Sequence, residues 1–277
     1  MGAGGPTAWQ PRAMSLPIFV VDAFTSEPFR GNPAAVVLGH GDDVWMQRVA
    51  AEMRHSETAF VRAGDGGGFD LRWFSPEVEV DLCGHATLAT AHVLFETGRL
   101  APHATARFNT RRGELRAEHA GPDGITLDFP VAEPVPAPAP RGLFDALGLP
   151  TGEMLRTDGE FFMCVVDDAR TVRDLAPDLG KLRALPDVRG VYVTAPGDAG
   201  YDIVSRCFAP RIGIDEDPVT GSMYCVLVAY WSTRLDKDEL RGFQASHRGG
   251  EVTVVRKGER ALLTGRASTV LAGELRA

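Results

Sequence analysis

Arg72-Trp-Phe-Ser-Pro-Glu-Val-Glu-Val-Asp81 is echoed by Arg206-Cys-Phe-Ala-Pro-Arg-Ile-Gly-Ile-Asp215, 134 residues further along the chain. Arg, Phe, Pro and Asp recur at the same places, and Val78 and Val80 are answered by Ile212 and Ile214. Self-similarity at one fixed distance marks a repeated supersecondary unit, and reading it first decides the architecture. With one extra residue allowed in the second copy, Gly84-His85-Ala86-Thr87 falls on Val219-Thr220-Gly221-Ser222, and Arg99-Leu100 on Arg234-Leu235. Each copy therefore reads as strand, turn, helix.

The two repeated helices are unusual. The stretches 85–96 (HATLATAHVLFE) and 222–233 (SMYCVLVAYWST) carry small or apolar residues on nearly every face, with only His92 and Glu96 as strongly polar interruptions. A helix that is apolar all round is buried all round. Around them, period-two patterning predicts strands at 18–23, 34–38, 58–62, 69–74, 106–109, 113–118 and 124–129 in the first half. The second half continues with 161–166, 190–194, 202–208, 243–246, 251–257 and 260–267. Shorter helices at 44–53, 142–146 and 178–185 are expected on the outside. The fold class is thus α+β, with two pseudo-symmetric domains, each a curved mixed β-sheet wrapped around a central buried α-helix.

Between Pro130 and Pro140 five prolines fall in eleven residues, a composition that favours an extended polyproline segment over helix or ladder strand. The expected organisation is a disordered extension at 1–13, one domain at 14–130, a linker at 131–140 and a second domain at 141–277 whose last strand is free to return to the first. Residues 1–13 lack the apolar core of a signal peptide, and Pro6 stands where a myristoylation signal wants Ser or Thr.

At 44% hydrophobic and 24% charged, the 277 residues have ordinary soluble globular composition. Twenty-nine Lys and Arg against 37 Asp and Glu leave a net charge of −8, which argues against nucleic acid and anionic membranes as partners. The longest apolar run, 223–231, is far short of the roughly 20 residues that span a bilayer. Cys83, Cys164, Cys207 and Cys225 form no CxxC pair and signal neither zinc nor disulfides, so a cytoplasmic location is the default reading.

Chemistry points first to the two helix starts, Cys83-Gly84-His85-Ala86-Thr87 and Asp217-Pro218-Val219-Thr220-Gly221-Ser222. Each combines a glycine that lets a ligand approach with a hydroxyl at a capping position. First-turn amides have no intrahelical partner and sit at the positive end of the helix dipole, so each start can hold an anion. The plainer alternative is that Thr87 and Ser222 merely cap structural helices. Glu57 lies where an amphipathic helix hands over to an apolar strand, and reads either as an ordinary solvated residue or as a general base. His85 reads either as a satisfied histidine or as a functional one. Asp215-Glu216-Asp217 resembles a metal cluster only superficially, since Pro218 follows at once and no His or Cys sits at ligand spacing. No metal and no cofactor is expected. Asp65 and the three glycines after it lack the Lys and the helix of a phosphate loop, and read as a turn.

Together, Asp22-Ala23-Phe24, Gly31-Asn32-Pro33-Ala34, Ser56-Glu57-Thr58, Cys83-Gly84-His85-Ala86-Thr87 and Glu216-Asp217-Pro218-Val219-Thr220-Gly221-Ser222 resemble the PhzF family of phenazine biosynthesis-like proteins, from about Leu16 to the C-terminus. The resemblance implies the diaminopimelate epimerase fold with an active site between the two domains. It implies Glu57 as the acid/base that moves a proton between carbons, assisted by His85, Asp217 and Ser222. Asn32, Ser56, Gly84, Ala86, Thr87, Thr220 and Gly221 are expected around a small carboxylate substrate, and Asp217 is expected to hold His85 in one tautomer. A homodimer is implied as well. Related epimerases use two cysteines, one at the start of each central helix; Cys83 occupies the first position and Pro218 is read as its repeat partner. An isomerase outcome is favoured over an epimerase or racemase, and a non-catalytic binding protein with the same fold is the reading from a different class.

Overall fold

The computed structural model describes residues 15–157 and 160–276, so the extension expected at 1–13 lies outside the described residues. The first half is a ladder of seven strands in spatial order: Ser15–Ala23, Asn32–Leu38, Glu57–Ala63, Phe69–Phe74, Ala106–Thr110, Gly113–His119 and Ile125–Pro130. The second half repeats it with Glu153–Arg156, Phe161–Val165, Gly190–Pro196, Ile203–Ala209, Glu239–Gln244, Gly250–Lys257 and Arg260–Gly265. In both halves the successive pairings run antiparallel, parallel, antiparallel, parallel, antiparallel, antiparallel. The halves are one supersecondary design used twice.

Each sheet wraps one helix, Gly84–Glu96 in the first half and Gly221–Leu235 in the second. Neither helix has a polar stripe to give to water: nine residues of the first and eleven of the second are buried. Both contribute to one continuous apolar core that includes Trp73, Leu88, Phe108, Met223, Tyr224 and Leu263. Outer helices cover the other sheet faces. Asp43–Met53 starts where the Asp42 carboxylate accepts from the Trp45 amide and stops at Arg54 in the left-handed region. Leu143–Leu147, Ala169–Arg173 and Leu179–Ala184 lie over the second sheet. Among the described residues no helix is long and apolar enough to cross a membrane.

The halves are joined along strand edges. Ile125–Pro130 pairs antiparallel with Arg260–Gly265, and the last strand, Ala267–Arg276, runs the full length of Ser15–Ala23 in the first half. The proline-rich segment does the converse on a small scale, Val135 and Pro136 pairing with Arg156 and Leu155. That corrects the expectation that no ladder forms there. Proline is tolerated on an edge, where its missing N–H faces away from a partner.

The repeat also needs re-registering. The bidentate pair Arg72–Glu79, at 2.7 Å on both arms, corresponds to Arg206–Glu216 at 2.6 and 3.1 Å. Trp73 pairs with Val80 where Cys207 pairs with Asp217. The second copy is therefore longer by three residues rather than one, and the additional chain is taken up in the turn Pro210–Ile212 and the irregular pairing beside it. Gly84 matches Gly221, not Val219, and Cys83 matches Thr220, not Pro218.

Candidate active site

The two central helices begin against each other: a Cβ placed on Gly84 would lie 3.5 Å from the Gly221 Cα, and one on Gly221 would lie 3.6 Å from the Gly84 Cα. Small residues at both starts keep this junction uncrowded. The N-cap residues are Cys83 and Thr220, and neither side chain takes up the first-turn amides. The capping role expected of Thr87 and Ser222 is thus wrong. Thr87 is fully buried and donates its hydroxyl backward to the Cys83 carbonyl at 2.6 Å, as a hydroxyl inside a helix does when no other acceptor is offered. Ala86 is buried behind it, its carbonyl accepting from Thr90. Ser222 is exposed and lies beside the Tyr192 hydroxyl.

One cluster of functional groups comes from the first half. Glu57 opens the strand Glu57–Ala63, in parallel register with Ala34, and its side chain is 13% exposed. Its Oε2 lies 3.3 Å from Nε2 of His85, the second residue of the first central helix. Ser56 Oγ reaches the same nitrogen at 3.3 Å. Cys83 Sγ closes the group, 3.5 Å from His85 Nδ1 and 3.9 Å from Nε2. Burial, then the Glu57 charge, push the Cys83 thiol well above its usual range, so it stands here as a neutral thiol.

The second cluster spans the halves. Asp217 accepts from Asn32 Nδ2 at 2.8 Å on one oxygen and from the Thr220 hydroxyl at 2.6 Å on the other. Asn32, from the first half, also donates to the Val219 carbonyl at 2.9 Å, and its own Oδ1 is buried without a partner among the described residues. Burial raises the Asp217 carboxyl to about 6, with the Glu57 charge adding to it; the His85 charge and the bonds from Thr220 and Asn32 pull it down. Asp217 is half-buried. It does not hold His85, as had been expected: no hydrogen bond joins them, and the partners of His85 are Glu57, Ser56 and Cys83.

Gln244 gave no signal in the sequence, being one amide in an ordinary strand. It is fully buried, accepts from the Thr220 amide at 2.7 Å, and donates to the Asp217 carbonyl at 2.7 Å and to Thr220 Oγ1 at 3.2 Å. The whole Asp217-to-Thr220 turn is clamped by it. Arg206 is held by Glu216 and by the carbonyls of Val172 and Leu175, and Phe74 packs under the outer helix Asp43–Met53. A separate surface groove of about 380 Å³, lined in part by Tyr201, Arg241, Glu251 and Arg266, contains none of the site residues.

Cys83, Glu57 and His85 also present one ligand atom each within 4.8 Å of one another. Ligand spacing along the chain could not reveal this set, because the strand and the helix start that carry it meet only in the fold. The acidic run Asp215-Glu216-Asp217 is not such a set: Asp215 pairs with Arg183 and Glu216 with Arg206.

Residues 21–273 match the family model for phenazine biosynthesis-like protein, PhzC-PhzF. An uncharacterized isomerase of Pseudomonas aeruginosa is 47% identical over 95% of this chain and 99% of its own. The crystal structure of a phenazine biosynthesis protein of the PhzF family from Enterococcus faecalis superposes with a TM-score of 0.89 at 41% identity, covering 95% of this chain and 100% of that one. A hydroxyproline epimerase from Agrobacterium vitis shares the fold alone, with a TM-score of 0.61 at 14% identity over 95% of this chain and 92% of its own.

Proposed function

The chain belongs to the phenazine biosynthesis-like (PhzF) family, and from that premise we propose that it is an isomerase, independent of cofactor and metal, that moves a proton between carbons of a small carboxylic acid. The observation that carries the proposal is the meeting of two helix starts without side-chain caps at Gly84 and Gly221, beside the carboxylate of Glu57. Removing a proton from carbon is slow unless the developing negative charge is stabilised. Free amides at the positive ends of two helices offer that stabilisation to a carboxylate or enolate without reorganising.

In this reading Glu57 takes the proton and returns it to another carbon on the same face. His85 shares its proton with Glu57 and with the developing oxyanion. Ser222 presents a hydroxyl from the open side, and Asp217, with its carboxyl near 6, exchanges a proton close to neutral pH while fixing Thr220. With Thr220 in the place matching Cys83, a two-thiol racemisation has no second thiol. A two-base epimerisation is the second reading, because Asp217 reaches the cleft from the half opposite Glu57.

The test is to incubate the protein in D2O with unsaturated and enolisable small carboxylic acids and to follow carbon-bound deuterium by NMR. Label at a new carbon supports the isomerase, and label with inversion at one carbon supports the epimerase. Glu57→Gln should lower the exchange by about 10²–10⁴-fold with the fold intact. Binding without exchange by any acid would instead support the non-catalytic reading. Exhaustive chelation should leave the rate undiminished; loss with EDTA and recovery with a divalent ion would overturn metal independence.

A further inference from the structure

We propose that Glu57, Cys83 and His85 form a binding site for one thiophilic divalent cation of the Zn²⁺ class, which blocks the cleft when it binds. Zinc takes thiolate, imidazole and carboxylate at about 2.0–2.3 Å, which at tetrahedral angles sets ligand-to-ligand separations of roughly 3.3–3.6 Å. Here His85 Nε2 lies 3.3 Å from Glu57 Oε2 and 3.9 Å from Cys83 Sγ, which sits nearer Nδ1 at 3.5 Å, so a turn of the imidazole is what completes the set. Three protein ligands leave a fourth position to an exchangeable ligand, the arrangement of open zinc sites.

The mixed donor set argues for the chemical class. One sulfur, one nitrogen and one carboxylate oxygen, all buried or nearly so, suit a borderline-soft ion and not the all-oxygen shells of Mg²⁺ or Ca²⁺. Binding replaces the Cys83 S–H bond with a metal–sulfur bond and releases that proton to solvent, with no change of oxidation state. An ion held here engages Glu57 and His85 together, so on the functional reading above it inhibits turnover.

The experiment uses the tag-free full chain, titrated with Zn²⁺ against a chromogenic chelator and, separately, with Co²⁺ while the thiolate-to-metal charge-transfer band is recorded. The wild type should bind one equivalent and develop the band. Cys83→Ala and His85→Gln should each weaken Zn²⁺ binding at least about tenfold, and Cys83→Ala should lose the band, whereas Cys164→Ala keeps both. Should Cys83→Ala melt early, Cys83→Ser supplies the same comparison at conserved size. A wild type that shows no thiolate band, or an affinity unmoved by the Cys83 substitution, overturns the proposal. These readouts need no substrate, so a protein that binds Zn²⁺ here but moves no proton sinks only the functional reading, and one that turns over without binding Zn²⁺ sinks only this one.

Discussion

At the level of single residues, Asp217 makes the clearest prediction, because its charge is set by burial while two donors hold its oxygens in place. Its folded carboxyl, near 6, lies above the ordinary value of 3.8, so the folded state holds the proton longer than the unfolded chain does. The resulting stabilisation is full below about pH 4 and is lost as pH rises through 6. The melting temperature of the wild type minus that of Asp217→Asn should therefore fall between pH 4 and 7; a flat or rising difference would show that the carboxyl titrates normally. Thr87→Ala should cost about 1 kcal/mol in denaturant melts through loss of one buried hydrogen bond, and should leave ligand binding untouched, since that hydroxyl faces the core. The meeting of Glu57 with His85, at 3.3 Å in the structure, was legible through the family resemblance. Gln244 was not. Its importance rests on three bonds to one turn, and nothing in a strand sequence marks the amide that will meet such a turn. The partners of His85 were misjudged for a similar reason: tautomer-setting contacts depend on which side chains lie alongside, not on which carboxylate is suggestive.

Between elements, the two helix starts meet at a pair of glycines. A Cβ at residue 221 would meet Gly84, Leu263 and Phe24 at 3.6–3.7 Å, ordinary contact distances. Gly221→Ala should thus fold with little change, while Gly221→Val overpacks the junction at about 1–3 kcal/mol and pushes the helix starts apart. Deuterium exchange into substrate should survive the first substitution and fall sharply with the second; equal activity would mean that this spacing does not matter. The repeated Arg–Glu forks make a second comparison. Arg206 is 12% exposed and ties the chain at Val172 and Leu175 to the strand that ends in Asp217. Truncation to alanine should destabilise by about 2–3 kcal/mol, since it leaves Glu216 and two carbonyls without their donor. The buried helices and most of the longer strands could be read from sequence because burial on every face and period-two alternation are strong local patterns; the ten-residue strand Ala267–Arg276 could not, because its burial does not alternate. The two-residue strands Glu79–Val80 and Val135–Pro136 could not, being too short to show a period. The three-residue lengthening at Pro210–Ile212 hid the true helix alignment, because it falls inside the ten-residue match, whose later residues run on past it in the wrong register.

Across the whole molecule, the repeat predicts the architecture but not the stitching between copies. Ile125–Pro130 with Arg260–Gly265, and Ala267–Arg276 with Ser15–Ala23, make each half complete its sheet with chain from the other. A shared core crosses the same boundary. Despite a two-domain outline, the protein should unfold in one step: scanning calorimetry should give calorimetric and van't Hoff enthalpies that agree, and two resolved transitions would refute the coupling. Beyond the expected freedom of the last strand to return to the first half, such interlocking is not legible in sequence, since either copy's strands alternate in the same way whichever half they join. The pairing of Ser15 with Arg276 has one more consequence. The first strand begins beside the end of the last, so the described chain from Ser15 to Arg276 is topologically almost a closed ring. A circular permutant that bridges Arg276 to Ser15 with a short Gly/Ser link and opens at the exposed turn 65–67 should recover the native circular dichroism spectrum and a cooperative melt.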